Sequence, residues 1–369
     1  MTEIFSVILT CYCLLLVAFL VGWVRIRRQV MPVKPDPSPG ISIVIAARNE
    51  GKNIENLLRD LTAIAYPQDQ FEVIIVNDHS QDETRKTIEE GMRHYPWMRQ
   101  LELPEGHAGK KEALLMGIQA ARFKIIATTD ADCHFSKNWL YCISQYFGDD
   151  DCKMVVGAVK YVPGRSLFSR LQVSELISLA GSTAAAIGLG HPVMCNGANL
   201  AFRKTVFDEV GGYEGNMQIA SGDDEFLMRK IVKRYPSGIR FLNYFEAAVS
   251  TLPQLSLRDF FYQRIRWAGK WKHNTDPVTR LLAFFIFISQ VAFIGIGLQN
   301  MLQENSGLVL ILLKLFLEGV YLFWVGRFLK CRFDVPAFLI LQILYPLYTI
   351  SIAALSFGHS FQWKNRNYK

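Results

Sequence analysis

This sequence of 369 residues lacks the glycine-rich loop of dinucleotide sites, the phosphate-binding loop of ATP sites and the paired cysteines of disulfide or zinc sites. The first predicted strand is not followed by Gly-x-Gly-x-x-Gly, and no phosphate-binding loop ending in Gly-Lys-Ser or Gly-Lys-Thr is present. Dinucleotide and ATP sites of those types are therefore disfavoured, and so is an NAD-dependent oxidoreductase. The seven cysteines are odd in number and lack zinc-type pairing, so neither a disulfide framework nor a structural zinc site is expected. Reduced thiols in a cytosolic setting account for them.

Charge is missing from residues 4–24, an apolar stretch long enough to cross a bilayer. A cleaved signal peptide would begin with basic residues and end in a small-residue cleavage site. Here the chain begins Met-Thr-Glu, and a basic cluster at 25–28 follows the apolar stretch. We therefore expect an uncleaved anchor over residues 1–28, with the N-terminus outside the cell. Residues 29–40, which contain four prolines, are predicted to be a stiff linker.

Three further apolar segments reach spanning length: 281–302, 308–329 and 335–357. The net charge is +7, and many of the basic residues lie beside apolar segments. This arrangement is typical of the cytoplasmic membrane face and not of a nucleic-acid site. Four spans would place the basic C-terminus outside, so residues 276–369 are expected to hold two or three. Lys314 and Glu318, one helical turn apart, could pair with each other. These patterns predict an integral protein of the plasma (inner) membrane with its soluble domain in the cytoplasm.

Residues 41–275 are predicted to form an α/β domain. Apolar, β-branched runs at 41–46, 71–76 and 124–128 alternate with helical segments. Such runs are typical of strands buried on both faces, and their alternation with helices predicts a parallel, doubly wound sheet.

Polar side chains follow each of these strands. Glu50 follows the first, Asp78 the second, and Asp130 and Asp132 the third. The carboxyl ends of parallel strands meet at one edge of a sheet, which predicts a nucleotide crevice there. Alternation along an extended chain would place Asp130 and Asp132 on the same side, where both carboxylates can reach one Mg²⁺ or Mn²⁺. The alternative is an ordinary solvated turn.

An anion-binding pattern precedes the third strand. Gly106-His-Ala-Gly-Lys-Lys-Glu-Ala113 opens a predicted helix. Flexible glycines, lysines and a helix N-terminus together favour an anion. The alternative is that Lys110 and Lys111 are ordinary exposed lysines.

A series of motifs in a fixed order resembles a known family. The series is strand-Asn-Glu, strand-Asn-Asp-x-Ser-x-Asp-x-Thr, Gly-Lys, Asp-Ala-Asp, Ser221-Gly-Asp-Asp-Glu-Phe-Leu227 and Gln263-Arg-Ile-Arg-Trp267. Over about residues 41–275 it resembles the family 2 inverting glycosyltransferases. The last motif is similar to Gln-x-x-Arg-Trp of the membrane-bound branch, which includes cellulose, chitin, hyaluronan and poly-N-acetylglucosamine synthases. The resemblance implies the GT-A fold, a mixed, mainly parallel sheet with flanking helices, here with transmembrane helices at both ends.

The resemblance also implies roles on the donor side of a site. Asp78 would contact the uracil base of a UDP-sugar, and Glu50 would lie near the nucleoside. Lys110 would lie near the sugar or diphosphate. Asp130 would lie near the ribose and donor sugar, and Asp132, with Asp130 beside it, would ligate a divalent metal.

On the acceptor side, the resemblance implies that Asp224 is the catalytic base, with Asp223 standing where the family usually has glutamate. A sugar hydroxyl is a poor nucleophile, so a carboxylate must take its proton during attack, and direct displacement then inverts the anomeric centre to give a β-linkage. The like charges beside Asp224 would raise its pKa towards values useful for a catalytic base. The alternative is that these acidic residues only begin a helix, where the helix dipole favours them. Three residues of the last motif would close over the diphosphate and the acceptor: Gln263, Arg266 and Trp267.

The implied partners are a UDP-sugar, a membrane lipid or glycan acceptor and the lipid bilayer, without nucleic acid. Residues 257–273 have the composition of a helix at the lipid headgroups, and 166–190 are either interfacial or a core helix. Polymer synthases of this branch commonly carry more membrane helices, so transfer of one or a few sugars is favoured unless the chain forms a homo-oligomer or has synthase partner subunits. The alternatives are a processive polysaccharide synthase subunit and a catalytically silent scaffold subunit that binds nucleotide-sugars.

Overall fold

The structure is a computed structural model that describes residues 2–29, 38–219, 221–270, 276–302, 307–356, 361–363 and 366–368. Most of the predicted linker (29–40) and the end of the predicted 257–273 helix lie outside these residues. Contacts within the chain divide it into two units. We call Ile26–Val162 with Gly190–Leu252 the sheet unit, and Met1–Arg25 with Pro163–Leu189 and Pro253–Lys369 the helical unit. The domain limits 1–28, 29–40, 41–275 and 276–369 remain predictions.

The strands, in chain order, are β1 (Ile41–Ala47), β2 (Phe71–Asn77), β3 (Met98–Glu102), β4 (Ile125–Thr128), β5 (Met154–Val156), β6 (Val159–Tyr161), β7 (Leu200–Arg203), β8 (Ile239–Phe241), β9 (Val249–Thr251), β10 (Phe361–Trp363) and β11 (Arg366–Tyr368). The helices are α1 (Thr2–Arg28), α2 (Gly51–Thr62), α3 (Thr84–His94), α4 (Lys110–Ala120), α5 (Trp139–Ser144), α6 (Leu167–Gly188), α7 (Lys204–Glu209), α8 (Asp223–Arg234), α9 (Leu257–Gly269), α10 (Pro277–Leu302), α11 (Leu308–Phe328) and α12 (Val335–Ser356).

A seven-stranded sheet with the order β3-β2-β1-β4-β7-β5-β8 forms the core of the sheet unit. β1, β2 and β4 are mainly apolar, and all but one of their residues are buried, as expected of strands covered on both faces. α4 packs against β1 and β2. It approaches closely at Gly117, where an added Cβ would lie 2.4 Å from a methyl carbon of Val44.

The direction of β7 corrects the expectation of a parallel, doubly wound sheet. β7 runs antiparallel to both β4 and β5, whereas β3, β2, β1 and β4 are parallel, as are β5 and β8. The composition of a four-residue apolar strand carries no information about its direction. The sheet is therefore mixed and mainly parallel with flanking helices, as the family resemblance implied.

Within the described residues of the helical unit and α1, four helices are long and apolar enough to cross a membrane by length and composition: α1, α10, α11 and α12. They coincide with the four apolar segments of the sequence. The expected pairing of Lys314 with Glu318 is confirmed at 3.0 Å, and Glu318 also accepts a hydrogen bond of 2.7 Å from the Tyr12 hydroxyl. The two predicted amphipathic stretches are helices α6 and α9, and most residues of α6 are buried. All seven cysteines are free thiols.

Candidate active site

Three neighbouring strands bring the predicted polar residues to one edge of the sheet. β1 lies between β2 and β4, and all three run in the same direction. The segments that follow them therefore leave the same edge, which is where α/β folds bind ligands. Glu50, Asp78 and Asp130 lie on these three segments.

Asp78, directly after β2, is 2% exposed and is held by backbone and side-chain partners. Its Oδ2 accepts a hydrogen bond of 3.0 Å from the Gly109 N–H, and the guanidinium of Arg48 lies 3.8 Å from Oδ1. Arg48 also donates to the Asp78 carbonyl at 2.8 Å. Sequence reasoning did not single out Arg48 or the Gly109 N–H, although both belong to motifs that it used.

Glu50 precedes α2 and is tied to the segment that leads into α3. The Glu50 N–H donates to Thr84 Oγ1 at 2.7 Å, and its Oε2 accepts from Asn53 at 2.7 Å. The Gly51 N–H donates to Asp82 Oδ2 at 2.9 Å. Burial acts to raise the pKa of Asp82, but hydrogen bonds from Thr84 and Gly51 outweigh it and leave that pKa below its ordinary value.

Asp130 and Asp132 lie in a turn and not on the strand. β4 ends at Thr128, and the Cys133 N–H closes the turn by donating to the Asp130 carbonyl at 3.1 Å. The expectation that Asp130 and Asp132 alternate along an extended strand is therefore wrong. The turn nevertheless brings carboxylate oxygens of Asp130 and Asp132 within 4.8 Å of each other and of Cys133 Sγ.

The donor set of this turn fits Mg²⁺ or Mn²⁺. Asp132 is exposed and Asp130 is half-buried, so both carboxylates can be approached from outside. Cys133 is buried, and burial raises the pKa of its thiol well above the ordinary value, which keeps it a neutral thiol. The available ligands are then hard carboxylate oxygens, the type that both ions prefer.

Two lysines at the start of α4 have defined partners. Lys110 Nζ lies 2.5 Å from Asp130 Oδ1. Burial acts to lower the pKa of Lys110, but the carboxylates of Asp130 and Asp223 outweigh it and raise that pKa. Lys111 is buried and donates to the carbonyls of Asn216 and Ile219 at 2.7 and 2.6 Å, and burial lowers its pKa. The alternative of ordinary exposed lysines is therefore wrong.

The acidic motif begins α8. Asp224 accepts hydrogen bonds from the Gly197 N–H at 2.8 Å and from the Glu225 N–H at 2.7 Å. Asp223 is buried, and burial, with the negative charge of Asp224, raises its pKa despite the opposing charge of Lys110. Glu225 is instead paired with Arg229 at 2.7 Å.

Five predicted residues are thus brought to the same end of the sheet unit, and we call them the aspartate–lysine cluster: Lys110, Asp130, Asp132, Asp223 and Asp224. The three predicted residues of the last motif belong to the helical unit and lie on α9. Gln263, Arg266 and Trp267 are spaced i, i+3 and i+4, so they share one helix face, and all three are half-buried.

Comparison with known proteins identifies the central part of the chain. The sequence model described as Glycosyl transferase family 2 matches residues 42–211. The chain carries a family 2 glycosyltransferase domain. The matched residues include Glu50 and Asp78. They also include three members of the aspartate–lysine cluster: Lys110, Asp130 and Asp132.

Named relatives extend the similarity beyond the domain. A poly-beta-1,6-N-acetyl-D-glucosamine synthase of Staphylococcus epidermidis is 25% identical over 267 residues, which is 69% of this chain and 62% of the relative. A beta-monoglucosyldiacylglycerol synthase of Synechocystis sp. is 27% identical over 249 residues, which is 65% of this chain and 50% of the relative. The chain thus spans between half and two thirds of the length of these relatives.

Among solved structures, the mannosyltransferase PcManGT from Pyrobaculum calidifontis, in complex with GDP-Man and Mn²⁺, is similar with a TM-score of 0.57. The match covers 95% of this chain and 99% of the other, at 18% sequence identity. The predicted GT-A fold is confirmed.

Proposed function

We propose that this chain moves a sugar from a UDP-sugar to a hydroxyl group of a membrane lipid or glycan acceptor, with inversion at the anomeric carbon and with Asp224 as the general base. The observation that carries the proposal is the aspartate–lysine cluster at the carboxyl edge of the sheet. A lysine paired with one carboxylate, with three further carboxylates in the same cluster, suits a reaction that needs a proton acceptor and a site for a charged leaving group.

Two carboxylates at the start of α8 would serve proton transfer. The attacking hydroxyl must lose its proton as the new bond to the anomeric carbon forms, and the bond from that carbon to the diphosphate breaks. Hydrogen bonds from Gly197 and Glu225 fix the orientation of the Asp224 carboxylate. The raised pKa of Asp223 means that this neighbour holds a proton more readily than an ordinary aspartate.

The leaving nucleoside diphosphate would be held at Lys110, Asp130 and Asp132. The raised pKa of Lys110 keeps it positively charged at neutral pH, so it can neutralise a diphosphate oxygen. A divalent ion bound by Asp130 and Asp132 would supply further positive charge to the same leaving group. Because Lys110 is paired with Asp130 at 2.5 Å, binding of the diphosphate would redistribute an existing ion pair.

The nucleoside would lie near Asp78 and Glu50. Asp78 is kept in place by Gly109 and Arg48, and a fixed carboxylate can accept an N–H group of a base. A carboxylate accepts from uracil or guanine alike, and the structurally similar mannosyltransferase was determined with GDP-Man. A guanosine donor therefore belongs in any test of the donor.

Four helices of spanning length support a membrane-bound enzyme. The basic residues at the end of α1 favour the cytoplasmic face for the residues that follow, and we place the catalytic domain on that side of the inner membrane. The names of the two relatives cover both a glycolipid synthase and a polysaccharide synthase, which are the two acceptor classes proposed here.

The decisive experiment uses membranes that contain the full chain. Radiolabelled UDP-glucose, UDP-galactose, UDP-N-acetylglucosamine and GDP-mannose are each supplied with Mn²⁺, and the product is divided between organic solvent and water. We expect label transfer from one UDP-sugar into a lipid-soluble or glycan product. Transfer from none of the four donors, or from GDP-mannose alone, would overturn the proposed donor and reaction.

The two alternatives give different results in the same assay. A processive polysaccharide synthase subunit, which the similarity to the poly-N-acetylglucosamine synthase favours, would give an aqueous product of high mass. A silent scaffold subunit would bind UDP without transferring label from any donor. It has no need of a proton acceptor, which the Asp223 and Asp224 pair would provide.

A further inference from the structure

A second set of buried polar contacts lies in the helical unit, around the Gln263–Trp267 motif. Three residues of α6 contact α9 or the residues just before it: Phe168, Gln172 and Glu175. They share one face of α6, because they are spaced i, i+4 and i+7. Gln172 exchanges two hydrogen bonds of 2.9 Å with the backbone of Gln254, just before α9. Phe168 packs against Phe260 with ring centroids 5.5 Å apart.

The third attachment is a buried ion pair. Arg264 and Glu175 are 3% and 7% exposed. Arg264 Nε and Nη2 donate to the two carboxylate oxygens of Glu175 at 3.1 and 2.5 Å, and Tyr348 of α12 donates to the same carboxylate at 3.1 Å. This two-point geometry allows the guanidinium only one orientation.

The fixed guanidinium contacts two of the three motif residues. Its carbon lies 4.4 Å from the ring centroid of Trp267, and Nη1 donates a hydrogen bond to Gln263 Oε1. The ring of Phe260 lies on it as well, also at 4.4 Å. Because Arg264 donates to the carbonyl oxygen of the Gln263 amide, this contact fixes which end of the amide is the acceptor and which is the donor.

We propose that Glu175 and Arg264 are positioning residues that hold the side chains of Gln263 and Trp267 in the geometry required for sugar transfer. Neither contacts the substrates; Glu175 orients Arg264, and Arg264 orients the motif. The inference rests on the proposed function of the motif. It accounts for a buried charge pair beside residues whose side chains are only half-buried.

The test is a double-substitution cycle on the full chain in detergent, using the donor that gives product with wild-type protein. Glu175→Gln should lower kcat by about 100-fold, the cost of a misplacement of about 1 Å, with a smaller change in the KM for the donor. In the Trp267→Phe background, Glu175→Gln should cost much less, because both act through one side chain. Independent, multiplicative losses would overturn the inference.

Two controls separate positioning from general loss of structure. Tyr348→Phe removes one hydrogen bond from Glu175 but leaves Arg264 in place, and Asp334→Asn breaks the Arg170–Asp334 pair of 2.9 Å elsewhere in the same unit. Both should keep kcat within about threefold of wild type, since neither disturbs the motif. A Glu175→Gln variant that matches these controls would overturn the inference.

A spectroscopic measurement does not depend on turnover. The Trp267 emission is obtained by subtracting the spectrum of Trp267→Phe from that of wild type, and the same subtraction is made in the Glu175→Gln background. Release of the ring from Arg264 should change the difference spectrum in intensity and shift it to longer wavelength. Identical difference spectra contradict positioning, whereas an inactive wild type with altered spectra contradicts the proposed function alone.

Discussion

The backbone N–H of Gly197 donates a hydrogen bond of 2.8 Å to the carboxylate of Asp224, and the carbonyl of the same glycine accepts one of 2.8 Å from the Thr128 hydroxyl. Thr128 is the last residue of β4, and the turn of Asp130 and Asp132, proposed to bind a metal, begins two residues later. One peptide segment thus links the strand that leads to Asp130 and Asp132 with the acidic start of α8. Gly197 therefore connects Asp224, which is proposed to accept the proton, with the strand that leads to Asp130 and Asp132, which are proposed to hold the departing diphosphate.

Asp224→Asn should abolish transfer while leaving the binding of UDP measurable. The amide keeps the shape of the carboxylate but cannot take the proton of the attacking hydroxyl, and loss of a general base typically costs 10²–10⁴-fold in rate, about 10³ at the midpoint. The measurement is initial rate in membranes together with UDP titration by calorimetry. Asp208→Asn, at an exposed position on α7 of the same unit, is the matched control and should behave as wild type. Unchanged turnover in Asp224→Asn would remove the assignment of the base.

Removal of the divalent ion should weaken UDP binding to the same degree as loss of its carboxylate ligands. EDTA should abolish transfer, and Mn²⁺ or Mg²⁺ should restore it. In calorimetry, Asp130→Ala with Asp132→Ala should lower UDP affinity and make it insensitive to EDTA, because the charge that attracts the diphosphate is then missing in both conditions. Equal affinity in wild type, in wild type with EDTA and in the double variant would contradict a metal-diphosphate site.

Asp223→Asn should stabilise the fold above acidic pH while it reduces activity. The folded pKa of Asp223 is raised, so folding takes up a proton between the ordinary aspartate pKa and the raised one, and stability falls as pH increases through that window. Asparagine cannot ionise and removes this loss. The thermal midpoint of the variant in detergent should exceed that of wild type at neutral pH, and the difference should shrink towards about pH 4. A variant that is less stable at neutral pH would show that charged Asp223 contributes more to the fold than its burial costs.

Local sequence patterns predicted most of the elements that form the site. β1 and β2 lie within one residue of the predicted runs 41–46 and 71–76, because continuous β-branched segments have few alternatives to a buried strand. The polar residues that end these strands follow from the same pattern. The family motifs supplied the roles of Lys110, Asp224 and their neighbours, which no spacing argument alone could assign.

Contacts between segments that are distant in the chain could not be predicted from the sequence. The Gly197 N–H is distinguished from any other N–H only by the fold that brings it to Asp224, 27 positions later. Arg48 and Glu175 fall in the same class, since their partners are 30 and 89 positions away. The reversed direction of β7 is a tertiary feature as well. A turn, and not strand alternation, brings Asp130 and Asp132 together, so a correct proximity was predicted from incorrect geometry.

Asn199→Ala should destabilise the sheet unit strongly without any change of charge. Asn199 is fully buried; its NH₂ group donates to the carbonyls of Ala158 and Ala247 at 2.9 and 2.7 Å, and its Oδ1 accepts from Trp139 Nε1 at 3.0 Å. Alanine leaves three buried groups without this partner, and we expect a loss of about 3 kcal/mol or more, measured by urea unfolding in detergent. Asn138→Ala, where the side chain makes no capping hydrogen bond to α5, should cost much less. Equal losses would contradict the role of Asn199 as a hydrogen-bonding centre.

A charge pair lies among the candidate membrane helices. Lys314 is 3% exposed, pairs with Glu318 on α11, donates to Gln342 of α12 and lies 4.2 Å from the ring centroid of Phe293 on α10, while Glu318 accepts from Tyr12 of α1. Either Lys314→Met or Glu318→Gln alone leaves one buried charge without its counterpart, and each should destabilise the helical unit by about 3–5 kcal/mol. The double variant has no buried charge, so it should recover most of that loss. Thermal midpoints in one detergent provide the measurement, with exposed Arg332→Gln as the control. If the two losses simply add, Lys314 and Glu318 are not energetically coupled, and each stabilises the helical unit only through its other contacts.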